Sequence, residues 1–135
     1  MGDRGSRLVV DGMNVIGSRP DGWWRDRDAA VRRLFAGLRA LAAQRGTWVT
    51  LVLDGRPIEA LEEGRHEGVV VRYASRPGRD AADDRIVGLV GADDAPASLV
   101  VVTADRDLRA RVEALGASTS GPCDLLRHLD RLGGG

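Results

Sequence analysis

Three aliphatic runs along the chain each end on an aspartate: Leu8-Val9-Val10-Asp11, Val49-Thr50-Leu51-Val52-Leu53-Asp54 and Leu99-Val100-Val101-Val102-Thr103-Ala104-Asp105. Runs of this kind read as parallel strands buried on both faces. They predict strands at about 7–11, 48–53 and 99–103, with another at 68–73 and a short fifth within 116–120. Trp48 opens the second of these and reads as a core residue. Val31, Leu34, Leu38 and Leu41 recur at spacings of three and four, which predicts a helix over about 26–44 that stops at Gly46. Further helices are expected over about 81–90, 105–115 and 122–132, with a short one over 58–64. Residues 12–22 read as a long loop, 54–57 as a turn and 75–79 as a loop. Strand and helix alternate, so the chain is α/β, built from right-handed βαβ units around a mainly parallel sheet of about five strands. One domain is expected over 7–132, with flexible termini at 1–6 and 133–135. There is no internal repeat or low-complexity block.

That pattern decides where chemistry would sit. In an open α/β sheet the site lies outside the carboxyl ends of the strands. Three strands would therefore deliver Asp11, Asp54 and Asp105 to one edge. The cluster Asp80-Ala81-Ala82-Asp83-Asp84 opens a helix and can add more acids. Like charges packed together repel, and burial raises the cost. A divalent cation resolves that conflict, and hard oxygen ligands point to Mg²⁺ or Mn²⁺ rather than zinc. Each acid also has a structural explanation. Asp105 suits an N-cap, Asp107 suits the first turn of a helix, and Asp54 before Gly55 suits a turn. Asp80, Asp83 and Asp84 together exceed what capping requires. Asn14, after Asp11-Gly12-Met13, can close an Asx-turn or hydrogen-bond a carboxylate or phosphate. Thr103 adds a hydroxyl at the end of its strand.

Composition narrows the classes. Hydrophobic residues make up 43% and charged residues 30%, as in a soluble globular domain. The single cysteine, Cys123, excludes an internal disulfide and a multi-cysteine zinc site, and His66 and His128 are isolated. No apolar stretch approaches the roughly 20 residues a membrane span needs. The first residues lack the apolar core of a signal peptide, so the expected location is cytoplasmic. All 20 basic residues are arginine and the net charge is zero. A GC-rich coding bias accounts for the missing lysines, yet arginine binds phosphate bidentately all the same. Neutrality argues against a general nucleic-acid coat protein and leaves room for local contacts. Arg19, Arg56, Arg79 and Arg106 sit in or beside loops predicted at the acidic edge and, with Thr103, are the expected substrate contacts. Trp23-Trp24 suit packing at the start of a helix or stacking on bases.

Taken together, Val10-Asp11-Gly12-Met13-Asn14, Leu53-Asp54-Gly55, Ala82-Asp83-Asp84-Arg85-Ile86 and Val102-Thr103-Ala104-Asp105-Arg106-Asp107-Leu108 resemble the NYN-domain nucleases of the PIN-like superfamily. The resemblance spans about residues 7–132 and lies in the order and spacing of the motifs. It implies a three-layer α/β/α sandwich and metal-dependent cleavage of RNA, leaving a 5′-phosphate and a 3′-hydroxyl. Asp11, Asp83 and Asp105 then become the core metal-binding acids, with Asp54 and Asp84 as further ligands. Asp107 matches the second acid of the family's Thr-x-Asp-x-Asp pattern, and Asn14 its strand-1 Asn. Many relatives carry Ser where this chain has Ala104, which removes one hydroxyl. The implied partner is RNA, ribosome-associated or other, and no membrane. Two rivals stay open: an RNA- or protein-binding module of the same fold with a weak or dead centre, and a Toprim-like phosphotransfer domain suggested by Asp105-Arg106-Asp107. The latter family places Glu after its first strand, where this chain has Asp11. No Gly-x-Gly-x-x-Gly follows strand 1 and no Gly-Lys-Ser/Thr occurs, which disfavours a dinucleotide binder and excludes a P-loop enzyme.

Overall fold

A computed structural model describes residues 7–74 and 79–134, without the side chain of Arg79. The expectations of a loose segment at 1–6 and of a loop through Ser75-Arg76-Pro77-Gly78 fall outside the described residues. Strand β1 (Arg7–Asp11) runs into a short helix α1 (Gly12–Gly17), and a 3-10 turn at Trp23–Arg25 leads to α2 (Arg27–Arg45). Strands β2 (Val49–Leu53), β3 (Gly64–His66) and β4 (Val69–Tyr73) come next, followed by α3 (Arg79–Ala92). The chain ends with β5 (Leu99–Val102), α4 (Arg106–Glu113), β6 (Ser118–Ser120) and α5 (Pro122–Gly134).

The six strands lie in the order β3-β4-β2-β1-β5-β6. Every pairing is parallel except β3 with β4. The most apolar strands, β1, β2 and β5, occupy the middle, where both faces are covered. Leu8, Val10, Leu51 and Leu53 face one core with α1, α2 and α5, while Val9, Val52 and Val101 face a second core with α3 and α4. Two cores on opposite faces of one sheet make the expected α/β/α sandwich.

The sheet has six strands where about five are expected, and three local expectations need correction. Part of the segment expected to be a short helix over 58–64 instead runs into the added strand β3, which forms a hairpin with β4. Its two-residue loop, Glu67-Gly68, has φ of 51° and 94°. Positive φ at both central positions is the geometry that suits the twist of a tight hairpin. The loop expected over 12–22 begins with α1. Finally, Trp48 is not core: it precedes β2 and is 43% exposed.

Two glycines explain local geometry. Gly46 takes φ of 66° and ends α2 with its N–H on the Ala42 carbonyl at 2.8 Å, as its sequence position implies. Gly12 is needed for space. A Cβ there would lie 2.7 Å from a Leu53 methyl and 2.9 Å from the Val52 carbonyl oxygen. Its absence lets α1 start directly against β2, just after Asp11.

Candidate active site

Asp11 is the last residue of the central strand β1 and only 3% exposed. Its register partner across β2 is Val52. Thr103, the residue after β5, is fully buried and donates its hydroxyl to Asp11 Oδ2 at 2.9 Å. The Thr103 Oγ1 in turn accepts from the Asp105 backbone N–H at 3.1 Å. Asn14 Oδ1, on α1, accepts from the Ala104 backbone N–H at 2.9 Å. One buried hydroxyl and one side-chain amide thus tie the end of β1 to the loop between β5 and α4. Asp105 caps α4, accepting from the Leu108 N–H at 3.0 Å.

The electrostatics follow from this burial. The Asp11 carboxyl is pushed up to about 6. Loss of solvent is the main cause; the Thr103 hydroxyl opposes it, and the charges of Asp83 and Asp105 add to it. The Asn14 backbone N–H, in the first turn of α1, opposes it weakly. Asp83, in α3, is itself only 6% exposed. Three acids from β1, α3 and the start of α4 therefore act on one another across the carboxyl edge of the sheet. A cleft of about 330 Å³ opens there, lined by Asp11, Asn14, Asp54, Ser18, Ala82 and Ala104 among others. Ala82 and Ala104 immediately precede Asp83 and Asp105. Asp54 sits half-buried at the rim. Among the described residues, no three His, Cys, Asp or Glu side chains are gathered closely enough to hold a metal ion as they stand.

The remaining expected site residues are distributed less tightly. Asp84 is exposed and pairs with Arg111 of α4 at 3.2 Å, along the seam between α3 and α4. Asp107 is exposed in the first turn of α4. Arg106 is exposed at the first residue of that helix. Arg19 pairs with Asp130 of α5 at 2.8 Å, away from the cleft. Arg56 lines a separate hollow with Arg25, Arg27 and Gly55. The Arg79 side chain lies outside the described residues. Thr103, expected against substrate, is instead buried beneath Asp11. Sequence reasoning did not find Arg27, whose guanidinium reaches the backbone carbonyls of Asp54 and Arg56 and fixes the loop after β2. No local signal marks it, because its partners lie 27 and 29 residues away.

The family model for the YacP-like NYN domain matches residues 8–133. The chain belongs to the YacP-like NYN domain family. It is thereby an NYN-domain nuclease by family, with the PIN-like fold. Among solved structures it is similar to Rae1 (YacP) from Bacillus subtilis, with a TM-score of 0.74 and 24% identity over 94% of this chain and 75% of that one. A mutant of the same protein gives a TM-score of 0.75 at 22% identity, over 94% of this chain and 76% of that one. At these identities the likeness shows the fold. The comparison with curated proteins gives no match. Among the described residues, no helix is long and apolar enough to cross a membrane.

Proposed function

We propose that this NYN domain is a metal-dependent endoribonuclease acting at the cleft beside Asp11. One observation carries the reading: a carboxyl buried at the end of the central strand and held up to about 6, with the charges of Asp83 and Asp105 bearing on it. Burying a carboxylate among other carboxylates costs stability, and a fold keeps such a cluster where a cation or a reaction uses it. The donor set is oxygen only, which fits Mg²⁺ or Mn²⁺. Asp11, Asp83 and Asp105, which are not gathered closely enough as they stand, would draw together to hold the ion, with Asp54 at the rim. When bound, a divalent cation supplies Lewis-acid polarisation of a phosphoryl oxygen and lowers the pKa of water.

The chain's own residues supply positioning. Thr103 fixes the Asp11 carboxylate through Oδ2. Asn14 holds the Ala104 amide, which keeps the Asp105 turn in place beside Asp11. Asp107 is the acid we assign to orient the attacking water, and Arg106 the phosphate contact. The test is purified protein against structured and single-stranded RNA, with Mg²⁺, with Mn²⁺ and with chelator. Internal cleavage that requires the cation supports the reading. Absence of cleavage under every condition, or cleavage that persists in chelator, contradicts it.

A further inference from the structure

The second core, under α3 and α4, contains no residue of β3 or β4. Among the described residues, that half of the sheet face lies outside the core under α3 and α4. Alternation along β2 puts Thr50 on it, since Val49, Leu51 and Leu53 face the other core and Val52 is already covered by the second. Alternation along β4 adds Val70 and Arg72, opposite Val69, Val71 and Tyr73. Arg65 of β3 is the direct register partner of Val70, so it joins the same face. This is also the face of Val9, and hence of Asp11 two residues on.

Val9, Thr50, Val70, Arg72 and Arg65 line a groove of about 420 Å³ bounded by Leu89 of α3. Trp48 stands in it, with the Arg65 guanidinium 5.1 Å from the ring centre. Arg7, at one end, is neutralised by Asp93 at 2.8 Å. Among the described residues no acid pairs with Arg65 or Arg72. The groove therefore presents two uncompensated guanidinium groups and a partly exposed indole. It is separate from the acidic cleft and shares no lining residue with it.

We infer that this groove is a binding track for single-stranded RNA, with a base stacked on Trp48 and backbone phosphates on Arg65 and Arg72, remote from the cleft. The inference rests on the proposed ribonuclease reading. The chemistry is that of non-specific strand binders, in which aromatic rings take bases and a cationic groove follows the backbone. Arginine suits both tasks, pairing with phosphate and stacking on rings. Occupying the track would add strand contacts outside the cleft. It would also favour substrates long enough to span both places.

The test is binding of a labelled unstructured oligouridylate of about a dozen nucleotides, in chelator to hold off cleavage, beside one of about four. Wild type should prefer the longer oligomer and show quenching of tryptophan fluorescence. Trp48→Ala should weaken the longer complex about tenfold, which is about 1.4 kcal/mol. Trp48→Phe should keep most of the affinity and lose the quenching. Arg65→Ala with Arg72→Ala should lower the salt slope of log affinity by about 1.4, at about 0.7 per phosphate. Wild-type-like affinity in these variants, equal binding of both lengths, or no binding at all would overturn the inference. So would polyglutamate bound as tightly as RNA, which would mark a general polyanion surface. Cleavage of the longer oligomer with Mn²⁺ is scored separately: if it persists while Trp48 proves irrelevant, the track fails and the ribonuclease reading stands.

Discussion

Replacing Asp11 with asparagine should make the cation-free protein more stable at neutral pH, although it removes a residue from the centre of the site. The Asp11 carboxyl titrates near 6 in the fold, against 3.8 in the unfolded chain. A carboxyl with a raised pKa holds its proton more tightly when folded, so the folded state binds more protons between those pH values. Stability therefore falls as pH rises through this window, at up to 1.36 kcal/mol for each pH unit. The accumulated penalty is absent below about pH 3.8, grows toward 6, and reaches about 3 kcal/mol above it. Asp11→Asn keeps the shape, can still accept from the Thr103 hydroxyl through its amide oxygen, and carries no charge to desolvate. It should gain up to about 3 kcal/mol at pH 7.5, which is roughly 10 °C in Tm for a chain of this size. Near pH 4 the two proteins should converge. The assay is urea denaturation in chelator at several pH values from 4 to 8. A gap between wild type and Asp11→Asn that stays flat with pH, or wild type the more stable at pH 7.5, would refute the argument that Asp11 is buried at the cost of its charge.

Three further outcomes follow from the same geometry. Thr103→Val removes the donor to Asp11 Oδ2 while keeping volume; it should cost about 1–3 kcal/mol at pH 7.5 and less near pH 4, where the carboxyl carries its own proton, as read by the same denaturation series. Gly12→Ala places a Cβ within 2.9 Å of the Val52 carbonyl oxygen; thermal melts should show a loss of about 1–3 kcal/mol, and a neutral result would mean that α1 can shift off β2. Mn²⁺ should raise the Tm of wild type by the equivalent of about 2.7 kcal/mol at a hundredfold excess over Kd and leave Asp11→Asn nearly unchanged; an equal rise in both would place the ion elsewhere.

Much of the fold was legible because the central strands carry unmixed signals. Leu8-Val9-Val10 and Leu99-Val100-Val101-Val102 are aliphatic without interruption, as strands buried on both faces must be. The Asp11 and Asp54 positions follow from the same runs, since each acid marks the point where the apolar stretch stops. Strand β3 was hidden because Gly64-Arg65-His66 has neither alternation nor β-branched residues; it is held by its hairpin with Val69–Val71 rather than by its own propensity. Trp48 misled for a related reason. It adjoins a buried strand, but it sits on the part of the sheet face outside the core under α3 and α4, a property of sheet order rather than of local sequence. The roles of Thr103 and Arg19 were likewise set by distant partners, 92 and 111 residues away. A chain with 20 arginines offers no local clue to which pair with acids and which stay free.

The central claim is that Asp105 serves chemistry as well as the start of α4. Its carboxylate caps the helix through the Leu108 amide, and asparagine caps a helix about as well as aspartate. Asp105→Asn therefore leaves the fold intact and removes one negative charge from the cluster around Asp11. The decisive measurement is RNA cleavage by purified wild type and Asp105→Asn in Mn²⁺, each with a chelator control and a melting curve. The account predicts an unchanged fold and a loss of cleavage by orders of magnitude. Full chelator-sensitive cleavage by Asp105→Asn would show that the residue is a helix cap and nothing more, and that the proposed centre is wrong.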